Sequence, residues 1–242
     1  MNAHNLPGTE DMPASRSGVP VKLWHVRLPD RLCSRDCAVL DTHERARAAA
    51  IGEPARRRQY LASRIIMRRI LSEELGRAPS EICILAGPHG RPELACGSGP
   101  SFNLSHSGSH AAFAVCHAAT VGVDIEERRT LNGARRIVRR LFAPEERHAL
   151  EKLDDAAFDD AFRRLWMLKE AYIKADGRGF ACPLRDFAID HSRVEVLRCN
   201  QRVPGRVMLA FESVGGGLDV ALAVLTDAVL RIECNHVDMR YL

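Results

Sequence analysis

Three carboxylates and a lysine stand in two segments, Val121–Glu126 (V-G-V-D-I-E) and Trp166–Phe180 (W-M-L-K-E-A-Y-I-K-A-D-G-R-G-F). Their spacing brings hard oxygen ligands and a cation to one place. Read as a strand, the first segment alternates Val121, Val123 and Ile125 with Gly122, Asp124 and Glu126. The apolar trio faces one side and both carboxylates face the other. The two acidic Cα atoms are then roughly 7 Å apart, from two rises of about 3.3 Å. Side chains at that spacing can converge on one hard cation, and Gly122 on the same face leaves room beside them. Read as the end of a helix, the second segment places Trp166, Glu170 and Lys174 four apart on one face. Gly177 and Gly179 stop that helix. Glu170 supplies a third oxygen ligand, and Lys174 a point charge suited to a phosphate oxygen. Mg²⁺ takes such a set, a few carboxylates completed by water and substrate phosphates. The chemistry this set suits is on a phosphate ester.

Plainer readings use the same residues. Glu170 and Lys174 have the spacing of an ordinary surface ion pair, worth a few tenths of a kcal/mol. Asp124 and Glu126 match the solvated face of an edge strand. Their joint occurrence favours a site, together with a third segment, F-N-L-S-H-S-G over Phe102–Gly108. Phe102 and Leu104 alternate as on a short strand, and residues 105–109 hold the small donors of a turn. Residues 111–115 (A-A-F-A-V) read as the return strand. The expected hairpin tip offers a hydroxyl, an imidazole and free backbone N–H groups to an anion. The alternative is a polar hairpin with a solvated histidine.

S-H-S, then G-V-D-I-E about fifteen residues later, then W-x-x-K-E-A-x-x-K-x-x-G-x-G, resembles the signature of the 4′-phosphopantetheinyl transferases. Spacing and length resemble the Sfp (surfactin-type) branch rather than the short trimeric holo-carrier-protein synthases. The resemblance is specific from Arg91 to about Phe187 and looser upstream. It implies that Asp124, Glu126 and Glu170 are metal-binding carboxylates, with Glu126 the least constant of the three. It further implies that Ser105 and His106 contact phosphate groups of coenzyme A, and that Lys174 contacts the pyrophosphate and assists the reaction. Arg91, in H-G-R-P, stands where the family has G-K-P, which implies a coenzyme A contact. Upstream, H-E-R-A-R (His43–Arg47) and the arginine-rich run Arg56–Leu71 resemble the family's basic segments facing the nucleotide end. Arg47 aligns with one family arginine. A second falls at Gln59, with Arg58 the nearest substitute. Arg56, Arg57, Arg64, Arg68 and Arg69 read instead as solvated or ion-paired helix residues.

The implied reaction is Mg²⁺-dependent transfer of the 4′-phosphopantetheine arm of coenzyme A to a serine of an apo acyl or peptidyl carrier protein, with release of 3′,5′-ADP. Glu170 accepts the serine proton, directly or through water, and Lys174 stabilises charge toward the leaving group. The implied fold is α+β. Two similar α/β halves stand in pseudo-twofold arrangement, each a small, mainly antiparallel sheet on a long helix, with the active site between them. The expected division is a flexible tail over 1–20, a first half over 21–118 on the nucleotide side, and a second half over 119–242 carrying the metal site.

Composition is consistent with this picture. The chain has 242 residues, is 46% hydrophobic but only 5% aromatic, and so must pack its core with aliphatics. A net charge of +4 suits acidic partners and is too weak to imply nucleic acid. A basic nucleic-acid module built on Arg56–Arg69 would lack aromatic interleaving beyond Tyr60. A metal-dependent phosphoester hydrolase would use the same carboxylates to activate water. Eight cysteines are scattered without C-x-x-C or zinc-like spacing. No secretory leader or membrane-length apolar run is read. The expectation is a cytoplasmic monomer that meets neither nucleic acid nor membrane.

Periodicity predicts strands at 21–26, 82–86, 187–190, 194–197, 206–211, 218–225 and 230–237. It predicts long helices over 54–75 and 156–175, and a short one opening at Pro144.

Overall fold

The computed structural model describes residues 18–95, 97, 99–129, 131–200 and 206–237. The expected tail lies outside them up to residue 17, and Val19 and Pro20 already belong to the first strand. In chain order the elements are β1 (Val19–Arg27), α1 (Thr42–Ala50), α2 (Pro54–Leu75), β2 (Ile84–Ala86), β3 (Pro92–Leu94), β4 (Ser101–Ser107) and β5 (His110–Cys116). There follow β6 (Thr120–Glu127), α3 (Ala134–Leu141), α4 (Pro144–Glu151), α5 (Asp155–Asp176), β7 (Phe187–Asp190), β8 (Glu195–Cys199), β9 (Val207–Gly215), β10 (Leu218–Leu225) and β11 (Leu230–Val237). The class is α+β, with small, mainly antiparallel sheets.

Both long helices have legible ends. Pro54 opens α2, where its missing N–H costs nothing. Gly76 closes it at φ 62°, a left-handed position that suits glycine. Asp154 caps α5 by accepting from the Ala157 amide at 2.9 Å. Gly177, at φ 86°, ends it. Neither interior contains Gly or Pro.

One sheet has the order β11-β1-β5-β4 and another β6-β10-β9, with two separate hairpins, β2-β3 and β7-β8. β11 runs parallel to β1, so the last described strand joins the sheet built from the beginning of the chain. The two large sheets face each other across Val21, Leu23, Ala112, Ala114, Val121, Val123, Ile125, Val220, Leu222 and Val224. On its outer face the first sheet buries Trp24, Phe102 and Phe113 against Ile66, Met67 and Ile70 of α2. The second packs Ala221 and Ala223 against α5. Burial of such side chains, at roughly 1.5–3 kcal/mol each, is the main driving force.

α2 is the predicted helix to the residue. Its arginines are largely spent within the protein. Buried Arg68 donates to Glu44 and Asp41, each at 2.6 Å, and to the carbonyls of Pro79 and Ile82, each at 2.8 Å. Arg64 pairs with Glu44 at 3.4 Å and Arg69 with Asp36 at 3.2 Å. The same contact explains why the second strand starts at Ile84 rather than Ile82, whose carbonyl is taken by Arg68.

The expected turn at residues 105–109 is a correction. Ser105, His106 and Ser107 continue β4 down to a tip of only Gly108 and Ser109, with Gly108 at φ 54°. The reason is a seam between β4 and β6, which share no backbone ladder. Ser101 Oγ accepts from the Val121 amide at 3.1 Å and Asn103 Oδ1 from the Val123 amide at 3.0 Å. Ser107 Oγ accepts from the Glu127 amide at 3.3 Å. Polar side chains at period two thus satisfy N–H groups that an edge strand would leave unpaired.

Cys33, Cys37, Cys83, Cys116, Cys182 and Cys234 are free thiols, and Cys96 lies outside the described residues. Among the described residues no helix is long and apolar enough to cross a membrane.

Candidate active site

The carboxylate–lysine cluster forms where α5 crosses β6. Gly122 permits the crossing. A Cβ there would lie 2.1 Å from the Ala171 carbonyl oxygen and 2.4 Å from the Ala175 amide nitrogen, so any side chain would push the helix off the strand. That closeness brings Lys174 to Asp124, two residues along from Gly122.

Lys174 Nζ donates to Asp124 Oδ1 at 2.7 Å, to Ser105 Oγ at 2.8 Å and to the Val123 carbonyl at 3.1 Å. Ser105 Oγ in turn donates to Asp124 Oδ1 at 2.8 Å. Beside them Ser107 Oγ donates to Glu126 Oε2 at 2.8 Å. Asp124 is 4% exposed. Three elements therefore meet at one point: β4 with Ser105 and Ser107, β6 with Asp124 and Glu126, and α5 with Glu170 and Lys174.

The electrostatics are those of crowded acids. Burial pushes the Glu170 carboxyl up to about 7; Lys174 opposes the rise, while Asp124 and Glu126 add to it. Glu126 is also raised, first by burial and then by Asp124, against its bond from Ser107. Two buried carboxylate oxygens, Asp124 Oδ2 and Glu170 Oε1, have no hydrogen-bond partner. Orphaned acidic oxygens beside mutually repelling carboxylates are what a hard cation would satisfy, so the donor set fits Mg²⁺ in kind. As the side chains stand, no three potential ligands among the described residues converge as a metal centre. Lys174 and Ser105 donate to Asp124 Oδ1, and Ser107 to Glu126 Oε2.

The remaining expected contacts are spread around this centre. His106 lies on the opposite face of β4 from Ser105, exposed to solvent at its rim. Local crowding by protein lowers its pKa, with Lys174 pushing the same way and Asp124 opposing. Arg47 is exposed on α1, with its guanidinium carbon 5.8 Å from the centroid of the Tyr60 ring. Arg58, also exposed, lines a cavity of about 390 Å³ with Leu28, Gln59, Gly108 and Ser109. Gln59 holds the hairpin tip through the Gly108 carbonyl at 2.9 Å. A larger cavity, of about 480 Å³, lies at the other end of β6, around Thr120, Pro92 and Gly177, away from the carboxylates. Arg91 borders it, with its guanidinium turned onto protein acceptors: the carbonyls of Lys174, Ala175 and Val121 and the Ser101 hydroxyl.

Two partners escaped the sequence reading. Ser107 lies on β4 rather than in a turn, and S-x-N-x-S-x-S over Ser101–Ser107 has the period of a strand with one polar face. Lys169, next to Glu170, turns into the core and meets Glu146 of α4 at 2.6 Å. Its place on the Phe158, Phe162, Leu165, Tyr172 stripe signals that burial.

The profile of the 4′-phosphopantetheinyl transferase superfamily matches residues 120–221, and that of an N-terminal 4′-phosphopantetheinyl transferase segment matches residues 30–118. A putative 4′-phosphopantetheinyl transferase of Synechocystis sp. is 27% identical over 209 residues, covering 83% of this chain and 85% of the relative. The 4′-phosphopantetheinyl transferase HetI of Nostoc sp. is 36% identical over 166 residues, covering 66% and 70%. The 4′-phosphopantetheinyl transferase Sfp of Bacillus subtilis is 29% identical over 125 residues, covering 52% and 54%.

Proposed function

This chain belongs to the 4′-phosphopantetheinyl transferase superfamily, and from that premise we propose that it moves the arm of coenzyme A onto a carrier-protein serine at the Asp124–Glu170–Lys174 cluster. The observation that carries the reading is the meeting of β4, β6 and α5, which gathers three carboxylates, a lysine and two hydroxyls where a diphosphate could be neutralised.

The carrier serine hydroxyl attacks the phosphorus next to pantetheine, the bond to the bridging oxygen breaks, and 3′,5′-ADP leaves. Glu170 takes the serine proton. Burial holds its carboxyl near 7 where no metal cation stands beside it; beside such a cation it would be ionised and able to take the proton directly or through water. Lys174, oriented by Asp124, Ser105 and the Val123 carbonyl, places its ammonium toward the charge that develops on the leaving diphosphate. Ser105 and His106 bind phosphate oxygens. Burial lowers the His106 pKa in the free protein, a bound phosphate would oppose that shift, and either ring N–H can donate to it. Arg47 and Arg58 bind the nucleotide end, and the Arg58 cavity beside Gly108 supports that assignment. Mg²⁺, held by Asp124, Glu126 and Glu170, would supply Lewis-acid polarisation of the phosphoryl group and offset the diphosphate charge.

The division into two similar halves, 21–118 and 119–242, in pseudo-twofold arrangement with the site between them is part of this proposal, with β11 of the second stretch lent to the sheet of the first. Support comes from two 22-residue helices, α2 and α5, each on the outer face of its own sheet. The enzyme acts as a cytoplasmic monomer on acyl or peptidyl carrier proteins.

Thermal melting tests the bound state. Coenzyme A with Mg²⁺, each near 100 times its Kd, should raise Tm by roughly 5–10 °C, from about 2.7 kcal/mol of linkage at 2–4 °C per kcal/mol. Either alone should do less. Equal melting temperatures in all three conditions would contradict a joint site.

A further inference from the structure

The first sheet carries histidines on three neighbouring strands. His25 of β1 and His110 of β5 are half-buried, and Nε2 of His25 stands 3.1 Å from Nδ1 of His110. Their ring planes lie 27° apart, with centroids separated by 5.1 Å. In the β1–β5 ladder His25 is opposite Ala112, and His110 is two residues along from Ala112, so both histidines lie on one face of the sheet. On the other side of β1 the parallel ladder sets His236 of β11 directly opposite His25. Adjacent strands are about 4.8 Å apart, so three consecutive strands each bring a histidine position to one small patch. None of the three has a part in the transfer chemistry above.

Histidines so spaced suit a transition metal. Two nitrogens bound at about 2.0–2.1 Å to one tetrahedral Zn²⁺ stand roughly 3.3 Å apart, so a pair at 3.1 Å needs only a small ring rotation to share an ion. Ligation requires neutral rings. Burial already lowers the His110 pKa, against Glu127 and with Arg27. Glu127 of β6, whose carboxylate rests against Gly108 at the β4–β5 tip, also brings negative charge to the patch. Among the described side chains no third metal-binding group joins the pair, and the register supplies a third histidine position at His236. Imidazole suits Zn²⁺, Ni²⁺ and Cu²⁺, whereas Mg²⁺ takes oxygen, so this patch does not compete for the ion of the carboxylate cluster.

We propose that His25, His110 and His236 form a zinc site with water in the fourth position. The site braces β11 to β1 and to the β4–β5 hairpin that carries Ser105 and His106. β11 is the edge of its sheet, laddered to β1. Three ligands on three strands tie it to β5 as well.

Zn²⁺ titrated calorimetrically into the full chain, with exposed thiols alkylated and Mg²⁺ in excess, should bind at one equivalent per chain. His25→Asn, His110→Asn and His236→Asn should each weaken binding by more than the roughly 10- to 100-fold typical of losing a contact that merely supports a ligand. His117→Asn, which alters the exposed histidine beside Glu74, should leave binding unchanged. Zn²⁺ near 100 times its Kd should raise Tm by roughly 5–10 °C in the parent and not in the three variants. His236→Asn, on the edge strand, carries the test if the other two do not fold. No zinc binding by the parent, unchanged affinity in any folded one of the three variants, or affinity lost in His117→Asn would each overturn the proposal.

Discussion

Asp124→Asn and Glu170→Gln should each lower the transfer rate by roughly 10³-fold or more. Each removes a carboxylate whose contribution to charge stabilisation is several kcal/mol, at about 1.4 kcal/mol per decade. Glu170→Gln also removes the proposed proton acceptor, a role worth roughly 10²–10⁴-fold by itself. The fold should survive both changes. Glu170 Oε1 has no hydrogen-bond partner, and burial disfavours its charge, so an amide of the same shape relieves repulsion with Asp124 and Glu126. Asp124→Asn loses the ion pair with Lys174, yet its amide oxygen still accepts from Ser105 and Lys174. Rates measured on variants with near-native melting are therefore interpretable. Near-normal transfer by either variant would remove the carboxylate cluster from the chemistry.

The largest expected stability effect lies one residue from the site. Lys169 and Glu146 are both 0% exposed in their side chains, and they pair at 2.6 Å. Burial drives the lysine down to about 8 and raises Glu146, with the pairing opposing both shifts. Lys169 also donates to the Phe187 carbonyl at 2.8 Å and lies 4.0 Å from the centroid of the Phe187 ring. Glu146 further accepts from the amides of Ala143 and Ile189, each at 2.9 Å. Lys169→Met leaves that carboxylate buried and uncompensated, at a cost of about 3–5 kcal/mol. For a chain of this size the shift in Tm is roughly 6–20 °C. Adding Glu146→Gln, which removes the charge and still accepts from one of the two amides, should recover part of the loss. A single variant that melts within about 2 °C of the parent would show that the pair is not an obligate core contact.

Much of this was legible where local rules and packing agree. Pro54 and Gly76 bracket α2 because their backbone preferences match its ends, and the alternation of Val121–Glu126 survives intact because one face meets the opposite sheet while the other meets α5. Ser105–Ser107 misled because small polar residues satisfy turns and polar seams alike; only the partner strand distinguishes them. α3 is harder to read although Ala134, Ile137, Val138 and Leu141 recur at i, i+3, i+4 and i+7 between four arginines, because eight residues give that period only two turns in which to show. Arg91 shows a different limit. Its sequence context marks a needed cation, but whether a guanidinium meets a ligand or helix-end carbonyls depends on tertiary placement. Lys169 and Glu170 are adjacent in sequence, and a helix turns neighbours by about 100°, so one enters the core while the other stands by Asp124, Glu126 and Lys174.

The most direct test is the intact mass of an apo carrier protein after incubation with this chain, coenzyme A and Mg²⁺, run beside Glu170→Gln. The account predicts a gain equal to one phosphopantetheine arm per carrier with the unaltered chain, equimolar 3′,5′-ADP, and almost no gain with the variant. An unchanged carrier mass with inorganic phosphate released, or equal modification by both proteins, would contradict it.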